Sequence, residues 1–156
     1  MLSKVNSYIC FLCKWISGVL LSAMVLLMVV QVFFRYALNQ PLGFPELIST
    51  WMLVWVIILA GSIEYRDNKM ISVNIIKNKL PNKIKNYLDL IFYLAILVFL
   101  WYFMAGGYTL SVRGLSQRIG GLGLPPTYKY SAAVVGGIIY GLITIEKILI
   151  IIRKIK

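Results

Sequence analysis

Histidine is absent from this 156-residue chain. Its absence excludes a Ser-His-Asp triad, bis-His haem ligation, an HExxH zinc site and any histidine proton relay. Acidic residues are scarce, five Asp and Glu against sixteen Lys and Arg, which leaves a net charge of +11. Charge of either sign is thin at 13%, where ordinary soluble domains carry about a quarter. Cysteine occurs twice, as Cys10 and Cys13 in a CxxC. With no further Cys or His the pair cannot complete a four-ligand metal site. A thioredoxin-type role would need a βαβ setting that is missing here, so the two read as small apolar residues ahead of the first span, with a redox role the alternative. Five prolines are present, and none falls inside a long apolar run.

Those runs are what the chain has in abundance. It is 60% hydrophobic with a mean hydropathy of +0.84. Trp15–Phe34, Leu47–Ile63, Leu90–Val112 and Tyr130–Ile145 carry no charge, and the last continues apolar past Glu146 and Lys147 to Ile152. A hydrocarbon core of about 30 Å is crossed by roughly 17–25 helical residues. Helix satisfies its backbone within the segment, whereas a barrel would need short alternating stretches. The expectation is an all-α integral membrane protein in a single membrane domain, residues 1–156. Four transmembrane helices are expected near 15–36, 45–65, 82–112 and 127–152, with a short interfacial amphipathic helix near 72–80 between the second and third. The first run is too long for a signal-peptide core and ends without a small-residue cleavage site, so it is expected to stay as an anchor.

Basic residues set the orientation. Twelve lie before the first run, between the second and third, or after the fourth; Arg35, Arg113, Arg118 and Lys129 are the other four. The positive-inside rule then puts both termini in the cytoplasm and turns the Arg35–Glu46 hairpin and the Arg113–Lys129 loop outward. The positive flanks suit anionic headgroups on the cytoplasmic side, at about 1 kcal/mol per Lys or Arg. Nucleic acid is not needed to explain them.

Local patterns refine this picture. Leu2, Val5, Ile9 and Leu12 recur at helical spacing, a short amphipathic lead-in over residues 1–14. Gly18 and Ser22 form a small-xxx-small pair, and Ala133, Gly137 and Gly141 recur every fourth residue. Such stripes let helices approach closely, whether the neighbour belongs to this chain or to another. Between the first two runs Asn39, Gln40, Pro41, Gly43 and Pro45 force a reversal. Pro45 suits the start of the next helix, and Glu46 places a negative charge at its positive end. Arg35 and Glu46 either form a charge pair across that hairpin or merely delimit the two spans. Trp51 and Trp55 share one helical face. Trp55 lies about 13 Å along its helix, deeper than the headgroup belt where tryptophan concentrates. The glycine-rich Arg113–Lys129 loop lacks the P-loop spacing.

Carriers of ions or acids place ionisable groups deep in the membrane or break helices to aim their ends at a substrate. Here the charges sit at span boundaries and the spans contain no proline. The chain is badly equipped to carry a polar solute alone and well equipped to be buried against something larger.

Arg35-Tyr36, Asn39-x-Pro41-Leu42, Phe44, Glu46, Trp55, Ala60-Gly61-Ser62 and Arg66 resemble the small membrane subunit of tripartite ATP-independent periplasmic (TRAP) transporters. Leu47, Met70, Asn74 and Ala132-Ala133-Val134 depart from residues frequent in that family. The resemblance implies a scaffold subunit in a bacterial inner membrane, with a large membrane subunit and a periplasmic substrate-binding protein as partners. It further implies sodium-driven uptake of an organic acid such as a C4-dicarboxylate or sialic acid, with no enzymatic activity and no cofactor. On this basis Trp51, Trp55, Ala133, Gly137 and Gly141 are candidates for contacts with the large subunit. Arg113, Gln117, Arg118 and Lys129 are candidates for contacts with the binding protein. A self-sufficient four-helix exporter acting as a homodimer is the alternative, with Glu146 its only candidate intramembrane carboxylate. A membrane enzyme is a more distant one.

Overall fold

The computed structural model describes residues 2–40, 43–67, 82–118 and 123–155. The expected interfacial helix near 72–80 lies outside them. The described residues form four α-helices and no strand: α1 (Leu2–Ala37), α2 (Phe44–Arg66), α3 (Asn82–Gly114) and α4 (Thr127–Ile155). Each contains a stretch long and apolar enough to cross a membrane.

The lead-in and the first span are one helix. Nothing between Ser3 and Ser17 breaks it, since neither Pro nor Gly occurs there. Its 36 residues extend to about 54 Å at 1.5 Å per residue, well beyond the thickness of a hydrocarbon core. α1 stops at Ala37, where Asn39 takes a left-handed φ of 50°, a conformation asparagine tolerates. The Gln40 N–H donates back to the Phe34 carbonyl at 3.2 Å. Pro45 and Glu46 then occupy the first turn of α2, where a missing N–H and a negative charge are both favourable.

α1 packs on α2, α2 on α4 and α4 on α3, while α1 touches α4 more lightly. Burial follows this order. In the apolar windows 22% of α2 and 28% of α4 are buried, against 6% of α1 and 6% of α3. α2 and α4 are therefore the inner pair, and α1 and α3 are flanks whose outer sides are left to lipid or to another protein.

Glycine allows the inner contacts. On α4 the neighbours Gly136 and Gly137 face two ways: a Cβ on Gly136 would strike Ile58 of α2, and one on Gly137 would strike Met104 of α3. Gly107 of α3 lies so close to α4 that its Cβ would stand 2.7 Å from that of Ala133. Within a membrane, close backbone approach replaces the hydrophobic driving force that water supplies elsewhere.

Candidate functional site

Polar side chains concentrate at two ends of this bundle. At the end carrying the chain termini, Asn6 is 1% exposed. Its amide donates to the Leu142 carbonyl at 3.3 Å and to the Glu146 carboxylate at 2.5 Å, while its Oδ1 has no partner among the described residues. One turn further along α1, Cys10 packs with Tyr65 and Ile143. The Arg66 guanidinium donates to the Ser7 hydroxyl at 2.9 Å. Thr144 donates to the Tyr140 carbonyl at 2.7 Å. A hydroxyl has one proton, so in the 2.9 Å contact between Tyr65 and Thr144 the tyrosine donates. Lys147 donates to the Tyr65 carbonyl, and its ammonium stands 4.5 Å from the Tyr65 ring and 5.8 Å from that of Tyr93. Tyr140 leans on Tyr65 with ring centroids 5.4 Å apart, and its hydroxyl fills the space where a Gly61 side chain would be. This knot joins all four helices. Its parts hold one another, and its chemistry is fastening.

The opposite end is tied more simply. The Trp55 indole N–H donates to the Tyr128 carbonyl at 2.9 Å, joining α2 to the start of α4. The Thr127 hydroxyl donates to the Ser111 carbonyl at 2.9 Å, joining α4 to the end of α3.

The expected site residues fall on both sides of the line between internal packing and open surface. Ala133 and Gly137, candidates for a partner's helix, are met by α3 of this same chain through Gly107 and Met104. A stripe at spacing four marks a close contact, and at these two positions a neighbour within this chain supplies one. Trp51 is 8% exposed, so its side chain too is spent inside the bundle. Trp55 is half-buried with its N–H engaged internally. Gly141 alone of the stripe has open space around its would-be Cβ. Arg35 and Glu46 flank the hairpin as expected, but no ion pair joins them among the described residues; the Arg35 guanidinium lies 5.8 Å from the Tyr36 ring. Arg113, Gln117 and Arg118 are exposed and Lys129 is half-buried.

Asn6, Tyr65, Thr144, Gly107 and Gly136 belong to none of the sequence patterns above. A lone amide within an apolar lead-in was a signal for Asn6. The phenol and hydroxyl of Tyr65 and Thr144 become a pair only when helices 79 residues apart meet. Cys10 and Cys13 are buried free thiols, lying beside Arg66 and Ser62 respectively. Among the described residues no three of Cys, Asp and Glu gather as they would around a metal ion. A shallow groove along α1 is lined by Met24, Val25, Met28, Val29 and Val32, all apolar.

An all-helical chain with four spans, in which Asn6, Tyr65 and Lys147 tie helices together, matches a known family over most of its length. Residues 24–154 match the tripartite ATP-independent periplasmic transporters, DctQ component. The chain belongs to the small-subunit family of TRAP transporters. It is 26% identical over 130 residues to a Haemophilus influenzae protein named as a TRAP transporter small permease, covering 83% of this chain and 81% of that one. TRAP small subunits work with a large membrane subunit and a substrate-binding protein. The family is one of transporter components, and its members are multi-pass proteins of the bacterial inner membrane.

Proposed function

We propose that this chain is the fixed scaffold of its transporter, with the large subunit moving substrate and ions and this subunit widening the anchored part. One observation carries the reading: Asn6, Tyr65 and Lys147 spend their polar groups on helix-to-helix contacts, and the groove along α1 is apolar. A carrier needs polar groups that can exchange water for a solute. Here Asn6 holds Glu146, the one carboxylate a homodimeric exporter could use.

In this reading both termini face the cytoplasm, following the twelve-to-four distribution of basic residues. The substrate is an organic acid such as a C4-dicarboxylate or sialic acid, and sodium supplies the driving force. The large subunit meets the exposed flank of α1 or α3, together with Gly141 and the open side of Trp55. The cytoplasmic lysines and arginines rest on anionic headgroups.

The deciding experiment is uptake by the complete system with and without this chain. Uptake lost on its deletion and restored by its return, together with co-purification of a larger multi-span protein, is the expected result. Uptake that persists undiminished without the chain overturns the scaffold role.

A further inference from the structure

Cys10 and Cys13 carry the chain's two nucleophilic sulfurs, and the scaffold role gives their chemistry nothing to do. Both are buried free thiols, 5% and 3% exposed, three residues apart on one face of α1. Cys10 packs with Tyr65 of α2 and Ile143 of α4. It lies within hydrogen-bonding reach of Arg66, and Cys13 within reach of Ser62. Arg66 and Ser62 are themselves four residues apart on α2, so they too share a face. The α1–α2 contact thus brings two sulfurs, a guanidinium and a fully buried hydroxyl into one layer.

Spacing decides what such a pair of thiols can hold. Side chains three apart on a helix have Cβ atoms about 5–6 Å apart, whereas a disulfide wants about 3.5–4.5 Å. A direct S–S bond would therefore distort α1, which runs unbroken here. An ion between the sulfurs asks for less. Two bonds of about 2.3 Å, the length zinc makes to thiolate, span about 4.6 Å.

Ligand number and charge then choose the ion. Zinc wants four ligands, yet no third Cys, Asp or Glu joins the pair among the described residues, and the chain has no histidine. A soft monovalent ion suits thiolates and is content with two of them. Two thiolates and one such ion leave a single negative charge, which when buried needs a partner. The Arg66 guanidinium, held from its other side by the Ser7 hydroxyl at 2.9 Å, supplies it. Asp67, also within electrostatic reach of Cys10, is exposed, so water weakens its effect.

We propose that Cys10 and Cys13 form a two-coordinate site for a soft monovalent metal ion, copper(I) by chemistry, with Arg66 as its counter-charge. Binding releases one proton from each thiol and transfers no electron. The site lies ahead of the apolar run that begins at Trp15. In the orientation proposed above it therefore sits at the cytoplasmic end, where thiols stay reduced.

The test titrates the purified full chain with copper(I), without oxygen, against a chromogenic copper(I) chelator. The chain should withdraw one equivalent, and C10S and C13S should each abolish that uptake. Arg66→Gln should weaken binding about tenfold to a hundredfold, as loss of an outer partner does at other metal sites. Arg66→Lys, which keeps the charge, should stay closer to the parent. Met24 and Met28 are thioethers four apart on the same helix, and M24L/M28L should change nothing. Because a buried serine can loosen the fold, the unaltered protein supplies a second readout. X-ray absorption at the copper edge should show two sulfur neighbours and no nitrogen or oxygen. Copper retained in C10S/C13S, a third ligand in the spectrum, or no copper bound by the parent overturns the proposal. None of these results touches the scaffold role, which is judged by uptake.

Discussion

Asn6, in the second turn of the first helix, donates its amide to the carboxylate of Glu146, near the end of the last helix. The two ends of the chain are thereby fastened 140 residues apart in sequence. Asn6 also reaches the Leu142 carbonyl, so one side chain supplies two of the ties between α1 and α4, helices that otherwise touch lightly.

Asn6→Ala should therefore loosen α1 while sparing the α3–α4 pair. A hydrogen bond to a charged group contributes about 1.5–3 kcal/mol, and polar contacts within membranes tend toward lower values, up to about 1.7 kcal/mol. A loss of about 1–2 kcal/mol is expected in reversible unfolding in detergent. Asn6→Asp should cost more, because it sets a second carboxylate against Glu146. Equal stability of parent and both variants would show that the tie contributes nothing.

Small-residue positions on α4 should rank by what lies opposite them. Gly136→Ala and Gly137→Ala push a methyl into Ile58 and Met104, and overpacking of this kind costs about 1–3 kcal/mol. Gly136 should suffer at least as much, since the branched Ile58 yields less readily than the flexible Met104. Gly141→Ala meets open space and should be neutral or slightly stabilising, because alanine is the better helix former by about 1 kcal/mol. Thermal unfolding of the three single variants gives the order directly, and a Gly141→Ala as damaging as Gly137→Ala would contradict the packing.

Tyr65 and Thr144 should show energetic coupling. A double-mutant cycle with Tyr65→Phe and Thr144→Val is expected to give about 0.6 kcal/mol, with about 1.7 as an upper bound. Thr144 also donates to Tyr140, so Thr144→Val alone should cost more than Tyr65→Phe alone. Strictly additive single effects would mean that the two hydroxyls do not meet.

The thiols give a test of α1 packing without mutation. Cys10 and Cys13 are 5% and 3% exposed, so a maleimide should label neither at an appreciable rate in the folded protein and both after denaturation. Asn6→Ala should speed labelling of Cys10, one turn away, before that of Cys13. Prompt labelling of the unaltered protein would place α1 away from α2.

The four spans were legible because hydropathy is local: uncharged runs free of proline need no partner to be recognised as membrane-crossing helices. The hairpin was legible for a similar reason, since Asn39, Gly43 and Pro45 act on their own backbone. Small-residue periodicity showed that α4 has a close-contact face, yet not whose helix fills it. Ala133 and Gly137 read equally well as an external interface.

Composition and pattern by themselves determined the helical class, the number of spans and the sign of charge at each end, because burial of apolar side chains in lipid depends on each segment alone. Tertiary structure decided that α2 and α4 lie inside, that α3 meets Ala133 and Gly137 of the small-residue stripe and that Asn6 closes the chain onto Glu146. Those outcomes depend on which surfaces fit at van der Waals distance across separations of many tens of residues, and no single segment contains that information.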